Sequence, residues 1–103
     1  MFCATVLYPS KEGSSFKFEE YVRTLAPLYA EFLGENCVRF EVRRGLRTPG
    51  GSSPHFVCVA SYWVTSGEQY AASPGDPRFK DVMAKFAAFT HIEPLRRFDE
   101  VVA

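Results

Sequence analysis

An uninterrupted apolar run at residues 56–64 constrains the fold of this chain more than any other segment. Side chains of a strand alternate between two faces, so a strand with one wet face alternates apolar with polar residues. Here both faces are apolar apart from one serine: Phe56, Cys58, Ala60, Tyr62 and Val64 on one, and Val57, Val59, Ser61 and Trp63 on the other. The run therefore predicts a central strand that is covered on both faces.

A second long segment, residues 18–33, has the pattern of an amphipathic helix with a proline inside it. Apolar residues recur at intervals of three and four, at positions 18, 21, 22, 25, 28, 29, 32 and 33. Gly34 stands where a helix-ending residue is expected. Because Pro27 has no N–H to donate to the carbonyl of Arg23, we predict a kink that bends the helix around its apolar stripe.

The remaining segments complete a β-α-β-β-α-β order. Strands are predicted at residues 2–8, 37–44 and 92–102, with a long loop at residues 45–54. A capping-box spacing at residues 66–69 predicts a short helical turn, and a second helix is predicted with Asp76 as its N-cap and Pro77 next. Such a chain commonly forms one antiparallel sheet with both helices on a single face, the α+β ferredoxin-like architecture.

That architecture leaves the second face of the sheet without a helix to cover it. Since the strand at residues 56–64 is apolar on both faces, something else must bury the face that carries Trp63. Two copies of the sheet packed face to face about a two-fold axis would do so. We therefore predict a homodimer formed through the open sheet faces.

Composition excludes several other partners. Lys and Arg number 12, as do Asp and Glu, so the basic excess of a nucleic-acid-binding protein is missing. The three cysteines, Cys3, Cys37 and Cys58, have no metal-ligand spacing and lie in apolar runs, so neither a metal nor another cofactor is expected. With no signal-peptide pattern and no apolar run of membrane length, we expect a cytoplasmic protein that is not bound to membranes.

Three segments together resemble a known family. They are Phe16, Tyr21 and the pair Pro27-Leu28 on the first helix; the strand Thr5-Val-Leu-Tyr-Pro-Ser-Lys11; and Phe89-Thr-His-Ile-Glu-Pro94. At this spacing they resemble the EthD-like proteins, named for ethyl tert-butyl ether degradation, of the dimeric α/β-barrel superfamily. The resemblance covers nearly the whole chain and implies one domain, residues 1–103. It also implies a dimeric α/β barrel.

The chain departs from the family pattern at two positions of the first helix. The family usually has a histidine just before the x-Pro-Leu sequence, and here that residue is Leu25. An aspartate usually follows the phenylalanine, and here it is Lys17. A chain without the helix histidine is expected to lack acid–base chemistry that depends on that residue.

The space between the sheet and the kinked helix is the expected small-molecule site. Its candidate lining residues are Tyr8, Tyr21, Leu25, Trp63, Phe86, Phe89 and His91. Each is also a plausible core residue, because aromatic stripes at helical spacing usually belong to the core. His91 and Tyr21 are the candidates for acid–base catalysis, although His91 also fits a surface or capping role.

Two functions remain open at this stage. The first is an EthD-like module that binds a small apolar or aromatic molecule without chemistry, as an accessory or degenerate member of the family. The alternative is a cofactor-independent enzyme, of isomerase, lyase or oxygenase type, that acts on a small apolar or aromatic metabolite. Leu25 favours the first, whereas His91, Tyr8 and Tyr21 keep the second open.

Overall fold

The computed structural model describes all 103 residues and has the predicted α+β architecture. Four strands form one sheet: β1 at Phe2–Pro9, β2 at Cys37–Arg44, β3 at Phe56–Val64 and β4 at Leu95–Glu100. The helices are α1 at residues 18–33, α2 at Gly67–Ala72 and α3 at Phe79–Phe89. Short 3₁₀ turns follow α1 at Gly34–Asn36 and α2 at Ser73–Gly75.

The sheet is antiparallel throughout, in the order β2-β3-β1-β4, which is the ferredoxin-like arrangement. On its helix-side face, β1 and β3 supply small and aromatic side chains that α1 and α3 cover. These are Ala4, Val6, Tyr8, Cys58, Ala60 and Tyr62, all buried. The core therefore lies in one layer between this face and the two helices.

The opposite face, which we call the open face, has no helix on it. Its central strip consists of Cys3, Thr5 and Leu7 on β1 and Val57, Val59, Ser61 and Trp63 on β3. Charged residues flank the strip, with Arg39, Glu41 and Arg43 on β2 and with Arg97 and Asp99 on β4. The guanidinium of Arg39 lies 4.2 Å from the centroid of the Trp63 ring. The prediction that β3 is a central strand is confirmed, since it pairs with β1 on one side and β2 on the other.

Helix α1 accommodates Pro27 by a change in its hydrogen bonding. Its middle, Tyr21–Leu25, is a π-helical turn in which the N–H of Ala26 donates to the carbonyl of Tyr21. A π turn takes more residues than an α turn, so the apolar stripe is re-registered: Tyr21, Leu25 and Ala26 are buried, whereas Val22 is 48% exposed. The sequence was right to predict an interruption here but wrong to place Val22 on the buried stripe.

The starts of two elements differ from prediction, and β4 also ends at Glu100 rather than at residue 102. Helix α3 begins at Phe79 rather than at Pro77; the Asp76 carboxylate accepts the N–H of Arg78, so it caps the preceding turn. Strand β4 begins at Leu95 rather than at residue 92, since Pro94 cannot donate to the ladder and Ile92 instead packs into the core. The short helix α2 begins as predicted, with the Ser66 hydroxyl accepting the N–H of Gln69.

None of the helices combines the length and the apolar character that a membrane span requires.

Candidate functional site

A cluster of tyrosines forms the centre of the core. Tyr8, Tyr21, Tyr29 and Tyr62 come from β1, α1 and β3, and all four are at least 96% buried. Tyr21 meets Tyr8 edge-on at 5.6 Å between ring centroids, and Tyr29 meets Tyr62 in the same way at 4.8 Å. Four polar tips are thus brought into one apolar layer, where each hydroxyl needs a partner.

The hydroxyl of Tyr21 has no such partner. It is fully buried and makes no hydrogen bond of ordinary geometry; the nearby hydroxyl of Tyr62 donates instead to the carbonyl oxygen of Ala26 at 3.3 Å. Burial and the proximity of Tyr8 and Tyr62 raise the pKa of Tyr21 far above its ordinary value. Tyr21 therefore stays protonated and holds an unused donor inside the core.

A small cavity lies against this cluster. Its volume is about 10 Å³, close to what one water molecule occupies, and it is lined by Val6, Tyr21, Tyr29, Tyr62, Met83, Phe86 and Arg96. We call it the inner cavity. Its lining is apolar and phenolic except for one cation, Arg96.

A larger groove opens to solvent beside the inner cavity. It has a volume of about 390 Å³ and lies between the end of α3, the segment 90–94 and the adjoining ends of β1 and β4. Its lining residues are Tyr8, Met83, Phe86, Ala87, Thr90, His91, Ile92, Glu93, Pro94 and Arg96. We call it the His91 groove. Met83, Phe86 and Arg96 line both the groove and the inner cavity, so the two spaces adjoin at these side chains.

Three of the predicted site residues, Tyr8, Phe86 and His91, meet in this groove. His91 is exposed, and its Nε2 lies 3.4 Å from the hydroxyl oxygen of Ser14. The ring is accessible to a ligand, with Tyr8 lining the same space. Tyr21 lies one layer deeper, on the inner cavity.

The other predicted residues lie elsewhere. Leu25 is 5% exposed and borders a separate groove of about 270 Å³ between α1 and α3, together with Phe89. Phe89 packs its other side on Phe16 and Tyr21. Trp63 lies on the open face, on the far side of the sheet, so its inclusion in a pocket between sheet and helix was wrong.

Five residues that line the inner cavity were missing from the predicted site: Val6, Tyr29, Tyr62, Met83 and Arg96. Tyr29 and Met83 lie on the apolar stripes of α1 and α3, where pattern alone does not separate core from pocket. Arg96 could have been found from strand parity. It shares its parity with Phe98, which pairs with Ala4 on the helix-side face.

The largest groove of the molecule, about 460 Å³ beside Asn36, is a weaker candidate. The side-chain amide of Asn36 is already used, because it donates to the carbonyl of Ser66 and accepts the N–H of Ser66 and the hydroxyl of Thr65. Arg78, another lining residue, makes an ion pair with Asp76 at 2.9 Å. The polar groups of this groove thus have partners within the fold, unlike Tyr21.

Nowhere do three or more His, Cys, Asp or Glu side chains gather in an arrangement that could hold a metal ion. The three cysteines are free thiols, and burial raises the pKa of Cys58 to about 12, so this thiol is not a nucleophile at neutral pH.

No family model and no curated protein matches the chain, but solved structures do. An EthD-like protein from Ralstonia eutropha JMP134 superposes with a TM-score of 0.89 at 27% identity, over 99% of this chain and 92% of that one. The resemblance to the EthD-like proteins is thus confirmed by the structure.

Two further solved structures share the fold of this chain. An ethyl tert-butyl ether degradation (EthD) family protein from Bacillus halodurans C-125 has a TM-score of 0.78 at 20% identity, with 99% of each chain covered. SnoaB from Streptomyces nogalater, a cofactor-independent oxygenase, has a TM-score of 0.57 at 12% identity, over 99% of this chain and 92% of that one. At 20% and 12% identity, these two matches show a shared fold and nothing more.

Proposed function

We propose that this EthD-like protein binds a small apolar or aromatic molecule in the His91 groove. The observation that carries the proposal is the position of the groove. It has the volume of a small-molecule site and adjoins a core that holds an unpaired tyrosine hydroxyl. A buried donor without a partner costs stability, and a ligand acceptor would relieve that cost. The surrounding rings of Tyr8 and Phe86 offer apolar contact area to such a ligand.

The absence of a helix histidine supports a binding role over catalysis. Leu25 stands at the position where the family usually has histidine, and it is buried in a different groove from His91. Helix α1 thus contributes phenolic and apolar groups to the core but no residue that titrates near neutral pH. An accessory or degenerate member of the family fits these contacts.

The proposed molecule is a homodimer paired through the open faces. Trp63 and the strip around it are apolar and lie on the face without helices. Packing a second copy there would remove this strip from water, which favours association. It would leave the His91 groove, on the other side of the sheet, accessible in each copy.

The proposed binding can be tested with two alanine positions on α3. Ala87 lines the His91 groove and Ala84 does not, and both are exposed, so tryptophan at either position leaves the core intact. We expect 2-naphthalenemethanol to bind the parent protein in calorimetric titration, to bind Ala87→Trp at least tenfold more weakly, and to bind Ala84→Trp as it binds the parent. Native mass spectrometry of the purified protein would identify any co-purified ligand. Equal affinities of Ala87→Trp and the parent, or no binding by the parent, would refute the groove as the site.

His91 supports the second candidate, a cofactor-independent enzyme. Its exposed imidazole and the Tyr8 ring line one groove, so a proton could be moved at a ligand carbon. Such an enzyme should accelerate exchange of the α-hydrogens of 2-tetralone in deuterated water, and His91→Gln should abolish the acceleration without weakening binding. If the parent protein does not accelerate this hydrogen exchange, the enzymatic candidate is refuted and the binding role remains.

A further inference from the structure

Arg96 occupies an unusual position for a strand arginine. It is the second residue of β4, pairs with Val6 in the register and therefore belongs to the helix-side face. Its Nη2 lies 3.8 Å from the sulfur of Met83 on α3. The two side chains together span the edge of the core between β4 and α3.

Arg96 borders three separate spaces. It lines the inner cavity and the His91 groove, and also a second groove of about 230 Å³ beside Tyr29, Tyr70 and Phe79. Met83 lines the same three spaces. In the inner cavity and the second groove, Arg96 is the only charged lining residue. Since Met83 is an unbranched and adaptable side chain, a change of its rotamer would join these spaces beside the Arg96 guanidinium.

The charge of Arg96 is not neutralised within the chain. Five of the other arginines make ion pairs with a neighbouring carboxylate: Arg23, Arg39, Arg43, Arg78 and Arg97. Arg96 makes none, although Glu93 lines the same groove. A planar guanidinium beside aromatic walls, without a carboxylate of its own, is suited to a carboxylate from elsewhere.

The tyrosines add hydrogen-bond donors to this positive charge. Burial raises the pKa of Tyr8, Tyr21 and Tyr29, while Arg96 lowers those of Tyr8 and Tyr29 to a smaller extent. All three hydroxyls stay protonated at neutral pH, and that of Tyr21 has no acceptor. A cation together with buried neutral donors stabilises a negatively charged acceptor group.

We infer that Arg96 is the anion-recognising residue of this site and that the ligand is an aromatic carboxylate. Its ring would occupy the His91 groove, and its carboxylate would face Arg96 and the tyrosine hydroxyls. This inference rests on the proposed function and narrows it, because a purely apolar ligand would leave both the Arg96 charge and the Tyr21 donor unused.

The test compares two probes of one shape. 2-Naphthoate carries a carboxylate where 2-naphthalenemethanol carries a neutral hydroxymethyl group, so the ratio of their affinities measures recognition of the charge. We expect the parent protein to bind 2-naphthoate about tenfold more tightly or better, because hydrogen bonds to a charged group are stronger than hydrogen bonds to a neutral one. Arg96→Gln should reduce that preference to about threefold or less, because it weakens the binding of 2-naphthoate more than that of the alcohol. Arg47→Gln, the same charge change in the exposed loop, should keep the full preference.

The outcomes separate this inference from the proposed function. If the parent binds both probes equally, or if Arg96→Gln keeps the preference, the anion role of Arg96 is overturned and binding in the groove stands. A parent that binds neither probe overturns both. The preference should also shrink in 0.5 M NaCl, because added salt screens the charge of an exposed guanidinium. A preference that changes neither with salt nor in Arg96→Gln would not depend on the Arg96 charge and would count against the inference.

Discussion

Tyr21 and Tyr62 are both almost fully buried, but only one of their hydroxyls has a partner. The Tyr62 hydroxyl donates to Ala26, whereas that of Tyr21 pairs with nothing. Conversion of each to phenylalanine should therefore have opposite effects. Tyr62→Phe is expected to lower the free energy of unfolding by about 1 kcal/mol, and Tyr21→Phe to leave it unchanged or raise it by about 1 kcal/mol.

Urea denaturation of the two variants measures this difference, with the slope of the transition checked for constancy. A loss in Tyr21→Phe as large as that in Tyr62→Phe would mean that the Tyr21 hydroxyl is satisfied in solution. In that case its role as a donor to a ligand would lose its basis.

At the scale of elements, α1 shows how a proline changes which residues are buried. Because Pro27 has no N–H, a carbonyl in the preceding turn is left without a backbone donor. The side chains of Val22, Arg23 and Thr24 in that turn are all exposed, so this carbonyl can accept a hydrogen bond from water. The π-helical turn before it then places Tyr21 and Leu25 in the core and leaves Val22 outside. A regular helix would have buried Val22 with them.

That placement predicts unequal costs for two neighbouring apolar residues. Leu25→Ala should lower the free energy of unfolding by about 2–5 kcal/mol, because it removes a buried side chain that its surroundings cannot replace. Val22→Ala should change it by less than about 0.5 kcal/mol. Guanidinium denaturation midpoints of the two variants provide the measurement. Similar losses for both would contradict the π-helical register.

At the scale of the whole molecule, the proposed pairing of open faces makes a prediction about the state of association. Trp63→Glu would place a charge in the proposed contact between two sheets, at a cost of several kcal/mol, so the dimer should dissociate into monomers. Light scattering coupled to size exclusion reports the mass directly. Arg47→Glu, a charge change of the same sign in the exposed loop, serves as the control and should leave the mass unchanged. A Trp63→Glu protein that remains a dimer of undiminished stability would refute this interface.

The buried hydroxyls and thiols also give the whole molecule a pH dependence. Burial raises the pKa of Cys58 from 9.0 to about 12 and raises those of Tyr8, Tyr29 and Tyr62. Because these groups ionise in the unfolded chain before they do so in the folded one, the stability that they contribute is complete below about pH 9 and falls as the pH rises to 12.

Thermal unfolding followed between pH 8 and pH 12 should show this fall. Cys58→Ala should make it shallower between pH 9 and pH 10, because thiols titrate in the unfolded chain ahead of tyrosine hydroxyls, whose ordinary pKa is near 10. A stability that stays flat up to pH 12 would contradict the burial of these groups.

The sequence by itself determined the order of the elements and the number of faces to be covered. The bounds of β2 and β3 follow from side-chain parity, and the apolar run on β3 requires partners on both faces of the sheet, because burial of apolar area is local and periodic. The interruption at Pro27 was also visible, since the missing N–H is a property of the residue itself.

Only the tertiary structure decided which of these apolar residues form a site. Trp63 and Tyr62 are adjacent in sequence, but parity and the position of the helices put one on the open face and the other in the core. Strand parity places Arg96 on the helix-side face, but only the packing of α3 against β4 brings its guanidinium to 3.8 Å from the sulfur of Met83. Whether a polar group finds a partner, as Tyr62 does and Tyr21 does not, depends on distances of a few ångströms between separate elements, and packing alone sets those distances.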